Sequence, residues 1–204
     1  MKIILAASSM FDAWTSHCDS FDFVRIHPGS VFDQPTDAIV ATTYAFGGID
    51  YAYQERFGEH IEARLRQTIH EDFDDEILVG QAVLLPTKDQ TIPFLIAAPV
   101  MRVPACLPPD TVNPYLAARA AILCALRANK IIQEYRGDPH ARQILTISFT
   151  GVGGIDPGMC AHQVKAAIRD TLVQNPGLPE NHLEAASRHN QLLQFGGERC
   201  RHSV

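Results

Sequence analysis

Two segments of this 204-residue chain share one arrangement, and they restrict the possible folds more than any other feature. Residues 37–50 read DAIVATTYAFGGID and residues 144–157 read ILTISFTGVGGIDP. Each is a run of strand-forming apolar residues, then a glycine-rich turn, then the expected start of a helix. A strand that is apolar without alternation, as at residues 38–40, is buried on both faces, so the first segment predicts a central strand in a sheet that is covered on both sides.

The rest of the chain continues the alternation of strands and helices. We predict further strands at residues 2–7, 21–27, 81–86 and 93–100, and a central strand at 37–43. Helices are predicted from Ser8 or Ser9 to Cys18, at 113–135, from Asp156 onward, and at 180–195. A helix that begins near Asp50 shows an apolar stripe at every fourth residue, formed by Tyr53, Phe57, Ile61, Leu65 and Ile69.

This order of elements predicts an α/β fold, a three-layer α/β/α sandwich with a mixed, mostly parallel central sheet. No linker rich in proline, glycine or serine divides the chain. Residues 1–195 are therefore expected to form a single domain, and residues 196–204 a C-terminal tail.

Charge and composition exclude several classes of function. The net charge of −6 and the pI near 5.8 give no basic face for a nucleic acid polymer, so we expect no such partner. The longest apolar runs, such as residues 95–100, are too short to cross a membrane. The cysteines are odd in number and form no CxxC pair, which favours reduced thiols and a cytoplasmic location. Nothing in the sequence calls for a metal or a cofactor, and the oligomeric state is left open.

The two glycine turns carry the predicted chemistry. Glycine lacks a side chain and lets a ligand approach the backbone closely. A helix start offers unpaired N–H groups and the positive end of a dipole. A charge-assisted hydrogen bond of this kind contributes about 1.5–3 kcal/mol. Two such turns after neighbouring strands could hold a diphosphate between them, at the edge where ligands of open α/β sheets bind.

At these residues the sequence resembles the macro domain family, over about residues 24–173. The first segment and its continuation, DAIVATTYAFGGIDYAYQERFG, together with FTGVGGI, carry the resemblance. It is nearest to bacterial and phage variants with an APTMRVP-like stretch, which reads APVMRVP here at residues 98–104. Macro domains bind ADP-ribose, and some of them hydrolyse ADP-ribosyl esters or ADP-ribose 1″-phosphate.

The resemblance implies a set of site residues. Asp50 matches the acid that positions or activates water in hydrolytic members, and it is the predicted catalytic residue. The adenine-reading acid of the family falls on Ser30, and one family asparagine falls on Tyr44 while another falls on Ala41. The predicted ligand-binding residues are Ser30, Val31, Tyr44, Gly47, Gly48, Ile49, Thr150, Gly151, Val152, Gly153, Gly154 and Ile155.

Three functions remain open from the sequence. The first is hydrolysis at Asp50, with the loops stabilising developing negative charge. The second is a binding module for ADP-ribose or a related nucleotide without catalysis, because Ala41 and Tyr44 lack the amides of the family. The third is a macro-like fold that serves protein–protein contacts.

Overall fold

The computed structural model describes residues 1–134, 142–152, 155–174 and 181–195. Its strands and helices follow one another in this order: β1 (Lys2–Ala6), α1 (Phe11–Cys18), β2 (Val24–His27), β3 (Ala38–Tyr44), α2 (Tyr51–Phe57), α3 (His60–Phe73), β4 (Val83–Pro86), β5 (Phe94–Met101), α4 (Asn113–Glu134), β6 (Thr146–Phe149), α5 (Pro157–Ile168) and α6 (His182–Phe195). The predicted tail at 196–204 lies outside the described residues.

The six strands form one sheet in the order β2-β1-β6-β3-β5-β4. All neighbours run parallel except β4, which pairs with β5 in the antiparallel sense. The predicted mixed, mostly parallel sheet is therefore confirmed. β3 lies in its interior, as the unbroken apolar run at residues 38–40 predicts.

Alternate residues of the strands supply two separate cores. On one face, Val40 and Ile147 pack with α1, α4 and α5. On the other face, Ile4 and Ile39 pack with α2 and α3. α6 lies outside α5, where the backbone carbonyls of Leu192 and Leu193 are hydrogen-bonded to side chains of α5. Helices thus cover both faces of the sheet, which is the predicted three-layer sandwich.

The single helix that the apolar stripe predicts after Asp50 is two helices in the structure. α2 ends at Gly58, whose φ of 92° suits glycine and whose amide donates to the Gln54 carbonyl. The stripe is continuous because Phe57 and Ile61 both pack on the same core. Apolar spacing reports which face is buried, and it does not report a change of direction in the backbone.

Other helix boundaries differ in smaller ways. α1 begins at Phe11, after a short 3-10 turn at Ser8–Met10, so the predicted start of the α-helix at Ser8 or Ser9 is two to three residues too early. α5 begins where the sequence predicts, because the Asp156 carboxylate accepts a hydrogen bond from the Met159 amide and Pro157 follows it. Among the described residues, no helix is both long and apolar enough to cross a bilayer.

Candidate functional site

The two glycine turns follow adjacent strands, β3 and β6, which separate towards their carboxyl ends. β3 pairs with β5 from Ala38 to Tyr44. It pairs with β6 only at Ala38 with Ile147 and at Ile39 with Ser148. Beyond those two pairs the strands diverge, and the turns that follow them stand on the two sides of the gap.

The opposite, amino ends of the same strands are firmly joined. One carboxylate oxygen of Asp37 accepts hydrogen bonds from the amides of Leu145 and Thr146, both at 2.9 Å. The Thr36 hydroxyl donates to the Thr146 carbonyl at 3.0 Å. The separation of β3 from β6 is therefore confined to the carboxyl edge of the sheet.

The Tyr53 side chain lies inside this separation. Its hydroxyl donates to the Val40 carbonyl at 2.9 Å, at the point where the β3–β6 pairing has ended. Burial raises the pKa of Tyr53 to about 12, while the neighbouring Thr150 hydroxyl acts in the opposite direction. Tyr53 on α2 and Thr150 after β6 are thus close neighbours, so the two turn regions meet at this side chain.

The first turn is tightly packed from within the protein. Gly47 has a φ of 87°, and a Cβ atom there would lie 3.0 Å from Arg66 Cγ. At Gly48 a Cβ atom would lie 2.7 Å from Cδ2 of Tyr44. The missing side chain at Gly48 therefore makes room for Tyr44, which stands at the predicted ligand site.

Asp50, the predicted catalytic acid, caps α2. Its Oδ1 accepts a hydrogen bond from the Ala52 amide at 2.9 Å, and the residue is exposed. Among the described residues, no hydrogen bond to Oδ2 is present. Oδ1 therefore caps the start of α2, whereas Oδ2 belongs to an exposed side chain and is open to solvent. α2 is only seven residues long, so the loop amides, rather than the dipole of a long helix, are the groups available to an anion.

The second turn is packed in a similar way. A Cβ atom at Gly151 would lie 2.6 Å from Met10 Cγ, so the Met10 side chain occupies the space beside this glycine. The Val152 amide donates to Cys160 Sγ at 3.4 Å. Ile155 is partly exposed before α5. Gly153 and Gly154, also predicted to bind ligand, lie outside the described residues.

Ser30 and Val31 lie in a third segment, after β2. The Ser30 hydroxyl accepts a hydrogen bond from the Phe32 amide, and Asp33 accepts one from the Ser30 amide at 2.8 Å, which completes a capping box. Val31 is buried. The ring of Phe32 meets that of Tyr53 edge-on, with 5.2 Å between their centroids. Through Phe32, this segment reaches the same side chain that links the two glycine turns.

A small cavity of about 10 Å³ lies beneath the diverging strands. It holds no more than about one water molecule. A ligand larger than water does not fit inside this cavity. Its lining comes from β3, the end of β6, the turn after β6, α4 and α5: Val40, Thr42, Phe149, Thr150, Val152, Pro114, Ala117, Ala118 and Val164.

The rim of the first turn carries an exposed aromatic ring beside a cation. The Arg102 guanidinium lies 5.2 Å from the ring centroid of Phe46, which is 45% exposed. Arg102 also forms a two-point ion pair with Glu76. This pair raises the pKa of Arg102 and lowers that of Glu76.

Within the described part of the chain, no group of three or more histidine, cysteine, aspartate or glutamate side chains could hold a metal ion.

The chain is similar to solved structures of several macrodomains. No family model and no curated protein matches the chain. Similar solved structures include the Trypanosoma brucei macrodomain in complex with ADP, at 18% identity and a TM-score of 0.48, over 72% of this chain and 56% of that one. The macrodomain of Mycobacterium tuberculosis DarG has 18% identity and a TM-score of 0.48, over 70% of this chain and 87% of that one.

The Oceanobacillus iheyensis macrodomain with MES bound is a further similar structure, at 15% identity and a TM-score of 0.48, over 81% of this chain and 88% of that one. This chain spans about 56% of the length of the first Trypanosoma brucei chain. These neighbours are macrodomains, the family that the sequence resembles.

The sequence prediction missed three residues that shape this region. Tyr53 stands in the predicted apolar stripe, yet its hydroxyl and ring connect all three loop segments. Gln54 and Glu62 hold the backbone of the first turn. The signal for Tyr53 was present, because a buried tyrosine hydroxyl needs a hydrogen-bond partner. No spacing rule connects Glu62 with a turn that lies thirteen residues earlier.

Proposed function

We propose that this protein binds ADP-ribose or a related nucleotide diphosphate over the carboxyl edge of β3 and β6. The observation that carries the proposal is the separation of these strands after Ile39 and Ser148. It leaves a glycine turn on each side of the gap. A ligand in an open α/β sheet binds at this edge, between strands whose connections leave in different directions.

Backbone amides would supply the contacts to the diphosphate. Among the described residues, the hydrogen bonds include none donated by the amides of Gly48, Asp50 or Gly151. Amides without a partner at a loop surface bind anions well, even in a protein of net negative charge. The motif resemblance to macro domains supports ADP-ribose as the ligand over other diphosphates.

Calorimetry with ADP-ribose, ADP and AMP tests the proposal directly. We expect ADP-ribose and ADP to bind more tightly than AMP, because AMP lacks the second phosphate. Thr150→Glu places a carboxylate beside the proposed diphosphate and should weaken binding by about tenfold or more, since like charges repel strongly in a partly buried site. The absence of binding to all three nucleotides in the wild-type protein would overturn the proposal.

The matched control is Gln90→Glu. Gln90 is an exposed residue in the turn before β5, at the amino edge of the sheet. The change adds the same charge, and a charge beyond the screening length of about 8 Å has little effect on the site. The Gln90 variant should bind as the wild type does. Urea unfolding of both variants shows that neither loses affinity through unfolding.

Hydrolysis of an ADP-ribosyl ester or of ADP-ribose 1″-phosphate is the catalytic form of this proposal. It is favoured by the exposed Asp50 carboxylate, whose Oδ1 caps α2 while Oδ2 accepts none of the hydrogen bonds of the described residues and can hold a water molecule. Asp50→Asn keeps the capping oxygen and removes the charge. If Asp50 activates water, this variant should lose turnover and keep both its stability and its affinity for ADP-ribose.

Binding without catalysis is the alternative, and Ala41 and Tyr44 favour it because neither side chain offers an amide to a ribose. In that case wild-type protein binds ADP-ribose and shows no turnover of either substrate.

A macro-like fold that serves protein contacts is the third form. A ligand at 100 times its dissociation constant adds about 2.7 kcal/mol to the stability of the folded state. The absence of any thermal shift with ADP-ribose or ADP would favour that third form.

A further inference from the structure

The Glu62 carboxylate, on α3, forms a hydrogen-bonded bracket with Gln54 around the first glycine turn. Gln54 Nε2 donates to Glu62 Oε2 at 2.5 Å and to the Ile49 carbonyl at 3.2 Å. The Ile49 amide lies 3.5 Å from the same Glu62 oxygen and donates to it. Both polar groups of the Ile49 backbone are thus engaged by side chains from beneath the turn.

This bracket fixes the centre of the turn from the inner side. The Ile49 side chain is buried, 6% exposed, in the core between the sheet and α3. Gly48 and Asp50 flank it on the two sides. With the Ile49 peptide groups committed inward, the amides of its two neighbours are the groups of this turn that are left for a ligand.

Arg66 completes the arrangement and balances its charge. Its guanidinium pairs with Oε1 of Glu62, one helical turn away, and its Cγ packs under Gly47. The Glu62 side chain is 19% exposed and that of Arg66 is 62% exposed, so the carboxylate is the enclosed member of the pair. The paired guanidinium offsets the repulsion that a bare carboxylate would exert on a diphosphate above the turn.

We propose that Glu62 is a positioning residue that, through Gln54, holds the Gly47–Asp50 turn in the conformation that binds the diphosphate. This inference rests on the function proposed above for that turn. Glu62 itself does not touch the ligand. It determines whether the Gly48 and Asp50 amides are preorganised at the loop surface before a ligand arrives.

Two substitutions at one position separate the hydrogen bonds from the charge. Glu62→Ala removes the bracket. Glu62→Gln keeps an oxygen that can accept from the Ile49 amide and from Gln54, and removes the charge together with the ion pair to Arg66. The matched control is Glu71→Ala, on the same helix, where an exposed carboxylate accepts a hydrogen bond from Gln67 and none of the described hydrogen bonds joins it to the turn.

Two readouts are needed, and only one involves a ligand. Hydrogen exchange followed by mass spectrometry reports the opening of a peptide that covers residues 46–52. Calorimetry with ADP-ribose reports affinity. In Glu62→Ala we expect exchange in this peptide to rise by about tenfold or more, with affinity reduced by about tenfold, as for the loss of one preorganising hydrogen bond. Glu62→Gln should stay within about threefold of the wild type in both readouts.

The outcomes distinguish this inference from the proposed function. Unchanged exchange in Glu62→Ala, or equal losses in the Ala and Gln variants, would overturn the positioning role even if the wild type binds ADP-ribose. If the wild type does not bind ADP-ribose, the proposed function fails, and increased exchange confined to the turn still supports positioning by Glu62. A general rise in exchange across α3 and the sheet would identify Glu62 as a residue that stabilises the whole fold, and would contradict the inference.

Discussion

The ring of Tyr44 lies so close to Gly48 that a Cβ atom at position 48 would stand 2.7 Å from Cδ2 of the ring. The two residues belong to the end of β3 and to the turn that follows it. Glycine at this position is thus required by a side chain of the protein itself, whatever ligand binds. The Tyr44 ring therefore packs against the backbone of the first glycine turn.

Gly48→Ala is expected to destabilise the protein, and Tyr44→Ala is expected to relieve much of that loss. The added methyl group forces the ring out of its position, at a cost of about 1–3 kcal/mol for overpacking. Urea unfolding of the two single variants and the double variant forms a thermodynamic cycle. The double variant should be more stable than the sum of the single effects predicts. Additive effects would show that the ring moves freely and does not press on Gly48.

Tyr53→Phe should lower the free energy of unfolding by about 1–3 kcal/mol, because it leaves the buried Val40 carbonyl without its donor. Tyr51→Phe is the matched control, since Tyr51 is two residues away and 74% exposed. Chemical unfolding of the two variants measures the difference. Equal stability of both would mean that water or another group satisfies Val40 in the folded state.

Asp37→Asn should also destabilise the protein. The Asp37 carboxylate accepts from two consecutive amides of the segment that leads into β6, at Leu145 and Thr146, and charged acceptors contribute about 1.5–3 kcal/mol per hydrogen bond. Asp22→Asn, at an exposed position that makes none of the described hydrogen bonds, is the control. Chemical unfolding of the two variants measures the difference, and equal stability of the two would contradict the role of these hydrogen bonds.

The cysteines should differ in their reactivity towards thiol reagents. Burial raises the pKa of Cys18 to about 12, and those of Cys124 and Cys160 to about 11. Only the thiolate reacts, so these three should label slowly in native protein at pH 8, while the exposed Cys106 labels quickly. A Cys200→Ser background removes the cysteine that lies outside the described residues. Rapid labelling of more than one thiol per chain would contradict the expectation.

The same shifts predict the alkaline side of the stability curve. Each buried thiol has a pKa in the folded protein above its ordinary value of 9.0. Its contribution to the free energy of unfolding is therefore fully present below about pH 9, and this contribution is lost as pH rises towards 11–12. Unfolding free energies measured between pH 8 and pH 11 should fall. A flat profile over this range would show that the thiols do not remain protonated in the folded state.

Much of the fold follows from local sequence rules. The unbroken apolar run of β3 predicts its interior place, and Asp156 with Pro157 predicts the start of α5. Residues that are close together in the sequence determine these two features. The break at Gly58 was missed because Phe57 and Ile61 keep one apolar spacing across two helices. A glycine at that point was the available signal for a helix end.

The candidate site was less accessible to prediction. Sequence placed the glycine turns after two strands, and the sheet order makes those strands neighbours. That Tyr44 and Met10 would pack on Gly48 and Gly151 could not be read from the sequence, because both are long-range or conformational contacts. The spacing of residues in the sequence also did not predict the hydrogen bonds of Glu62 to Ile49 and Gln54, because they depend on how α3 packs beneath the turn. Whether the turns bind a nucleotide remains a prediction.

The short pairing between β3 and β6 divides the sheet into two halves, with β2, β1 and β6 in one and β3, β5 and β4 in the other. The halves are joined near Ala38 and Ile39 and diverge from there. Any widening of the gap at the carboxyl edge would strain more than the Tyr53 hydrogen bond to the Val40 carbonyl, because α4 packs on β5 in one half and on α5, which follows β6, in the other. The packed helices therefore set how far the two halves can separate, and with it the width of the space open to a guest between the turns.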